Sequence, residues 1–223
     1  MTNIVVLIKQ VPDTWSERKL TDGDFTLDRE AADAVLDEIN ERAVEEALLI
    51  KEKEAANGGE STVTVLTAGP ERATEAIRKA LSMGADKAVH LLDEGLHGSD
   101  LIQTGWALAR ALGTIEGTEL VIAGNEATDG VGGAVPAVVS VNEKINEPRF
   151  PSFKGIMAAK KKEVTTLTLA EIGVEADEVG VANAGSKVTA STPKPPKTAG
   201  EKVTDEGDGG TKVAEYLVAQ KII

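Results

Sequence analysis

At 223 residues with a formal net charge of −13, the chain can bury one good core but is too acidic for nucleic acid to be a bulk partner. It has no cysteine, which excludes disulfides, thiolate metal sites and thiol nucleophiles and fits a cytoplasmic protein. Aromatic residues make up only 3%, so Ala, Val, Ile and Leu must fill the interior, which favours helices packed on a Val/Ile-rich sheet.

Residues 3–9 (NIVVLIK) read as a buried strand beginning almost at Met1, with no signal peptide before it. Pro12 and Asp13 end that strand, and a polar stretch with a turn at Asp22-Gly23 follows. Over 41–53, Val44, Ala47 and Leu48 share one helical face with Glu and Lys opposite. Residues 61–67 form a second strand. Gly69-Pro70-Glu71 then opens a helix whose buried stripe is Ala73, Ala76, Ile77, Ala80 and Leu81, with Gly84 as its C-cap. A third strand covers 87–92. Ser99 is expected to cap a helix to Leu112, with Leu101, Trp106, Leu108 and Ala109 as its apolar surface. Residues 119–123 make a fourth strand.

This alternation predicts an α/β fold: a Rossmann-like, mostly parallel sheet with helices on both faces. Ligands in such sheets bind at the carboxyl ends of the strands. The loops there are 10–14, 68–70, 97–99 and 124–133. The last, GNEATDGVGG, is the most permissive in backbone terms. It is neither a Walker A loop nor the dinucleotide fingerprint. Converging N–H groups and the Thr128 hydroxyl suit a phosphate, while Asp129 would repel one and suits a turn or a ribose. An ordinary turn is the competing reading. After Gly133 the pattern breaks, because 137–141 reads as a strand with no helix before it. Parallel neighbours need a crossover of roughly a dozen residues or more. Either these strands are not parallel neighbours, or connecting material is absent.

Residues 145–162 (INEPRFPSFKGIMAAKKK) are unusual for a folded domain. Pro148 and Pro151 bracket Arg149 and Phe150, so the chain is extended there, and Phe153 follows. A helix-compatible run over 155–162 ends in three lysines. Two roles compete for the aromatics: packing into the core, or standing out beside Lys154, Lys160, Lys161 and Lys162 as a docking surface. Residues 163–169 are strand-like and 172–181 turn-rich. Residues 193–210 read as an arm without a core, and 211–223 place Val213, Tyr216, Leu217 and Ile222 at helical spacing. No apolar run reaches membrane-spanning length, so the protein is not itself expected in the membrane. His90 and His97 have no nucleophile partner, and no Asp or Glu set has metal-ligand spacing, so no catalytic residue and no metal site is expected.

The chain resembles the beta subunit of electron transfer flavoprotein along nearly its whole length. The resemblance is carried by IKQVPDT (8–14), ERAVEEAL (41–48), AGPERATEAIRKALSMGADKAVHL (68–91), GNEATDG, NEPR with its lysine-rich follow-on, and TAGEKV (198–203). NEPR followed by the lysines is the specific piece. The resemblance implies a redox-active electron carrier, not an enzyme by itself. It implies a heterodimer with an alpha subunit that holds most of an FAD, and an AMP buried in beta. The nucleotide site carries over to Leu7; to Asp37, Glu38, Ile39 and Asn40; to Ala68; and to Ala123, Gly124, Asn125, Glu126, Ala127, Thr128, Asp129, Gly130, Val131, Gly132, Gly133 and Ala134. The family usually has Asn where this chain has Asp37. Residues 10–15 would form a wall near the flavin. The partner-docking loop carries over to Asn146, Glu147, Pro148, Arg149, Phe150, Phe153 and Met157 within 146–157, with Phe153 at the position of the family's apolar anchor. The family normally has several tens of residues between GNEATDG and the strand matching 136–141; this chain does not.

The expected organisation is a nucleotide-binding domain over 1–192 and, over 193–223, an arm and helix that pack on the alpha subunit. The expected function, as in fatty acid beta-oxidation, is acceptance of electrons from acyl-CoA dehydrogenases or similar flavoenzymes and delivery to a membrane quinone oxidoreductase. Two alternatives stand beside it. A second FAD could replace AMP in an electron-bifurcating protein, or the chain could be a free-standing adenine-nucleotide binder.

Overall fold

The computed structural model describes residues 2–13, 15, 19–128, 139–192, 195, 205 and 207–219. Six strands form one sheet in the order β7-β6-β1-β4-β5-β8: β1 (Thr2–Leu7), β4 (Ser61–Ala68), β5 (Lys87–Leu91), β6 (Thr118–Gly124), β7 (Val139–Val141) and β8 (Val164–Leu167). All five pairings are parallel, and the central strands β1 and β4 carry the near-continuous buried apolar runs that suit a sheet covered on both faces. The α/β class is therefore as the alternation predicts.

Helix α1 (Glu38–Ala56) and helix α2 (Thr74–Met83) cover one face, where Ile4, Val6, Val63, Val65 and Ile122 meet Val44, Ala47, Leu48, Ile77 and Leu81. Helix α3 (Leu101–Leu112) covers the other, where Val5, Leu66 and Leu91 meet Ala107 and Ala111. The chain steps from β1 through α1 to β4 and through α2 to β5. It then crosses back by α3 on the opposite face to β6, which keeps these three crossovers right-handed. Gly84 ends α2 at φ 143°, where a side chain is strained, and a β-carbon there would lie 3.2 Å from the Leu48 side chain.

Three details differ from the sequence reading. The cap of α3 is Asp100, not Ser99: its carboxylate accepts the Gln103 N–H while the Gln103 side chain returns to the Asp100 N–H, and Ser99 Oγ accepts the Gly180 N–H. The buried stripe of α3 is Gln103, Ala107 and Ala111, leaving Leu101 58% and Trp106 44% exposed. The small alanines let the helix lie close on the sheet. Residues 10–36 also hold a strand pair, β2 (Gln10–Pro12) and β3 (Ala34–Leu36), which are antiparallel and were not anticipated.

β7 is a parallel neighbour of β6, with Ile122 beside Val139 and Gly124 beside Val141. That removes the first of the two explanations for the missing crossover. Helix α4 (Phe153–Ala159) begins earlier than 155 because Ser152 caps it through the Gly155 N–H. Residues Met1–Ala190 form one compact unit and Ser191–Ile223 another, which contains helix α5 (Gly209–Ala219) with Val213 and Tyr216 exposed.

Candidate functional site

The strand order reverses at β1, so its topological switch point lies between β1 and β6. There the structure brings together three sequence-predicted segments: the end of β1, the start of α1, and the loop after β6. Asp37 joins the last two. Its carboxylate is fully buried; Oδ1 accepts the Ile39 N–H at 2.9 Å as the N-cap of α1, and Oδ2 accepts the Thr128 N–H at 2.8 Å and hydroxyl at 2.9 Å. Both Thr128 donors, which the sequence reading aims at a phosphate, are committed here to Asp37. Asn40 Oδ1 accepts the Lys9 N–H at 2.7 Å, which ties the end of β1 to the same corner. Ile39 is core and Glu38 is exposed.

Gly124 shows how tightly these pieces meet: a β-carbon on it would lie 2.8 Å from both Asn40 Nδ2 and Ile39 Cγ2. Leu7 and Ala68 are half-buried at the carboxyl ends of their strands on the α3 face, and Ala123 is half-buried beside Gly124. Asn125 is exposed, and Glu126 and Ala127 are half-buried. Small apolar residues beside a loop packed directly on a helix start fit an adenine nucleotide in residue type. Asp129, Gly130, Val131, Gly132, Gly133 and Ala134 lie outside the described residues. Of the expected flavin wall, Gln10 is buried and donates to the Arg72 carbonyl at 2.8 Å, while Trp15 is 95% exposed.

The second predicted element, 145–162, sits on a shelf made by α1 and α2. Phe150 is 93% and Phe153 81% exposed, so neither aromatic is core. Met157 is half exposed beside Ile156, which the sequence reading did not single out although it lies three residues past Phe153. Glu147 is exposed and Pro148 half-buried. Asn146 and Arg149 instead turn inward. Arg149 grips Glu45 of α1 through Nε (2.7 Å) and Nη2 (2.9 Å), and Nη1 reaches Glu52 at 2.5 Å. Glu45 is nearly buried, with its side chain 7% exposed. The hydrogen bond to Glu45, then that to Glu52, raises the Arg149 pKa; the same Arg149 bond lowers that of Glu52. Asn146 Nδ2 donates to the Arg42 carbonyl and to Glu46, and Arg42 donates back to the Asn146 carbonyl.

The far end of this element is held by α2. Arg78 Nη1 donates to the carbonyls of Ala159 (2.7 Å) and Lys162 (3.1 Å), and Lys162 Nζ donates to those of Leu81 and Ala85 at the end of α2. A cation is well placed there against the helix dipole. Burial lowers the Lys162 pKa, with Asp86 opposing. Of the three consecutive lysines, only Lys160 and Lys161 are exposed. A β-carbon at Gly155 would collide with the Ser82 carbonyl, so α4 rests directly on the backbone of α2.

Among the described residues, no cluster of three or more His, Asp or Glu side chains could hold a metal, and no helix is long and apolar enough to cross a membrane. His90 bonds the Gly69 carbonyl, and His97 pairs with Asp24 at 2.9 Å.

Comparison with known proteins adds the family. The electron transfer flavoprotein domain matches residues 24–135. The chain is 75% identical to electron transfer flavoprotein subunit beta of Mycobacterium tuberculosis and 74% identical to that of Mycobacterium leprae, each over the full length of both chains. It is 30% identical to the Caffeyl-CoA reductase-Etf complex subunit CarD of Acetobacterium woodii, over 97% of each chain. The mycobacterial alignments span 266 positions against the 223 residues of this chain. The chain belongs to the electron transfer flavoprotein family, as a beta subunit.

Proposed function

We propose that this chain pairs with an alpha subunit to form a soluble, cytoplasmic electron carrier. The carrier takes electrons from acyl-CoA dehydrogenases or similar flavoenzymes and passes them to a membrane quinone oxidoreductase. When bound, an FAD held mostly by alpha supplies the redox chemistry. This chain contributes three things: a structural nucleotide site, a docking element and a surface for alpha. The observation that carries the reading is the Asp37–Thr128 tie at the switch point, which holds the start of α1 and the loop after β6 as one corner.

Leu7, Ala68 and Ala123 offer an apolar floor at the carboxyl ends of their strands, and 124–134 is the segment proposed to cradle a phosphate, through groups other than the Thr128 donors that Asp37 takes. AMP is the proposed occupant, and as a ligand of the folded state it stabilises the chain by mass action. The nucleotide-binding domain spans 1–192, and the segment 193–223 packs on alpha. Phe150, Phe153, Ile156 and Met157 form the apolar tip that enters a pocket on the dehydrogenase, with Lys154, Lys160 and Lys161 around it.

Denaturing the purified heterodimer and identifying the released nucleotides tests the site. One FAD and one AMP per heterodimer supports the proposal. Two FAD replaces AMP by a second flavin, and no nucleotide beyond the alpha-held FAD removes the beta site.

A further inference from the structure

We propose that Arg149 is a positioning residue whose pairing with Glu45 and Glu52 holds the Phe150–Met157 element in the one presentation that a flavoenzyme partner accepts. This rests on the docking reading above and adds to it the device that makes docking tight. The element is short, carries its apolar residues outward, and has no core of its own. Left to itself, a Pro-stiffened segment of this kind samples many orientations about its stem. Association then carries the entropy of ordering it.

The structure removes that freedom at both ends. On the α2 side the contacts are made by backbone: Arg78 and Lys162 reach main-chain carbonyls, and Gly155 seats on Ser82. On the α1 side the hold is a side-chain fork. The Arg149 guanidinium meets both Glu45 oxygens, and the Arg149 N–H adds a third bond to Glu45 at 3.1 Å. Glu52, about two helical turns further along α1, takes the remaining arm. Phe150 is the very next residue, so the fork fixes the direction in which the exposed tip leaves the shelf. Planar, bidentate geometry is what a guanidinium supplies and an ammonium does not.

Truncating Arg149 alone leaves the nearly buried Glu45 carboxylate unpaired and lowers stability for that reason alone. The informative variant therefore removes the pair together, Glu45→Gln with Arg149→Gln, in the flavin-loaded heterodimer. Electrons are delivered by an acyl-CoA dehydrogenase from which the wild type accepts them, with Arg149→Lys and Phe153→Ala in parallel.

The expected result for the paired variant is a KM for the dehydrogenase raised at least about 5-fold at unchanged kcat. Flavin content should be unchanged, and hydrogen exchange should be faster over 146–159 but not over the sheet. Arg149→Lys should lie between the paired variant and the wild type. Adding Phe153→Ala to the paired variant should raise KM by less than the product of the two separate effects, because the fork acts through the tip.

If Phe153→Ala raises KM and the paired variant does not, the positioning role is refuted while the docking reading stands. If Phe153→Ala leaves KM unchanged, the docking reading falls and this one with it. A paired variant that loses flavin and melting temperature along with KM assigns Arg149 to the fold alone and refutes the proposal.

Discussion

Replacing Asp37 should loosen the nucleotide corner more than any other single change. Asp37→Ala removes the cap of α1, which typically costs about 1 kcal/mol. It also removes the acceptor for the Thr128 N–H and hydroxyl, bonds to a charged oxygen worth roughly 1.5–3 kcal/mol each in isolation. Because both converge on one oxygen and loss of the buried carboxylate relieves its desolvation, we count them together as about 2 kcal/mol. The total of about 3 kcal/mol corresponds to a fall of roughly 6–12 °C in melting temperature for a chain of this length. Asp37→Asn keeps the cap through its carbonyl but sets an amide N–H against the Thr128 N–H, so a smaller loss of about 1–2 kcal/mol follows. Thermal unfolding of the heterodimer, with the released nucleotides identified for each variant, provides the assay. Asp37→Ala should lose AMP while retaining the FAD. A melting temperature within 2 °C of wild type, with full AMP content (about 2 °C lies inside the spread expected of a neutral change), would refute the argument that this carboxylate joins the two halves of the site.

Phe153→Ala removes a side chain that is 81% exposed, so only about a fifth of the roughly 3–5 kcal/mol attached to a buried Phe is at stake. Melting temperature should barely move, whereas KM for the dehydrogenase should rise about 30-fold if the residue is an anchor worth about 2 kcal/mol; a large fall in melting temperature would make it a core residue. Gly124→Ala pushes a methyl group against Ile39 and Asn40 and should destabilise by about 1–3 kcal/mol with weakened nucleotide retention, read by the same denaturation assay. The Gln103 N–H holds the Asp100 carboxyl below its ordinary value, opposed by its own desolvation and helped by the Gly185 and Ser186 N–H groups. A depressed carboxylate pKa contributes stability above the unfolded value, about 4, that is lost as pH falls through the folded one. Melting curves between about pH 5 and 2 should therefore show Asp100→Asn less sensitive to acid than wild type, and an identical slope would exclude Asp100 from the acid response.

Much of this molecule was legible from local pattern. Strand and helix alternation, read with the requirement for right-handed crossovers, yields the parallel sheet, the faces of α1 and α2, and the loops at the carboxyl ends. Buried strands are near-continuous apolar runs, and helix faces repeat with a fixed period, so both signals lie within a dozen residues. The expected face of α3 is right in part: Leu108 packs against the core, whereas Leu101 and Ala109 are exposed and Gln103, Ala107 and Ala111 carry the buried face. Only the closeness of the sheet selects the alanines. The strand pair at 10–12 and 34–36 carries too few residues for a period to show.

What tertiary structure alone decided are the long-range polar contacts. Asp37 meets Thr128 across 91 positions and Arg149 meets Glu45 across 104, and nothing in either neighbourhood announces the other. The exposure of Phe150 and Phe153 belongs to the same class. Aromatics are often drawn into a core, but here α4 is pressed flat on α2 through Gly155, and both rings are left in solvent. Periodicity is a property of the chain next to itself. Pairing and exposure belong to surfaces that exist only once distant segments have met, and so could not be read from the chain alone.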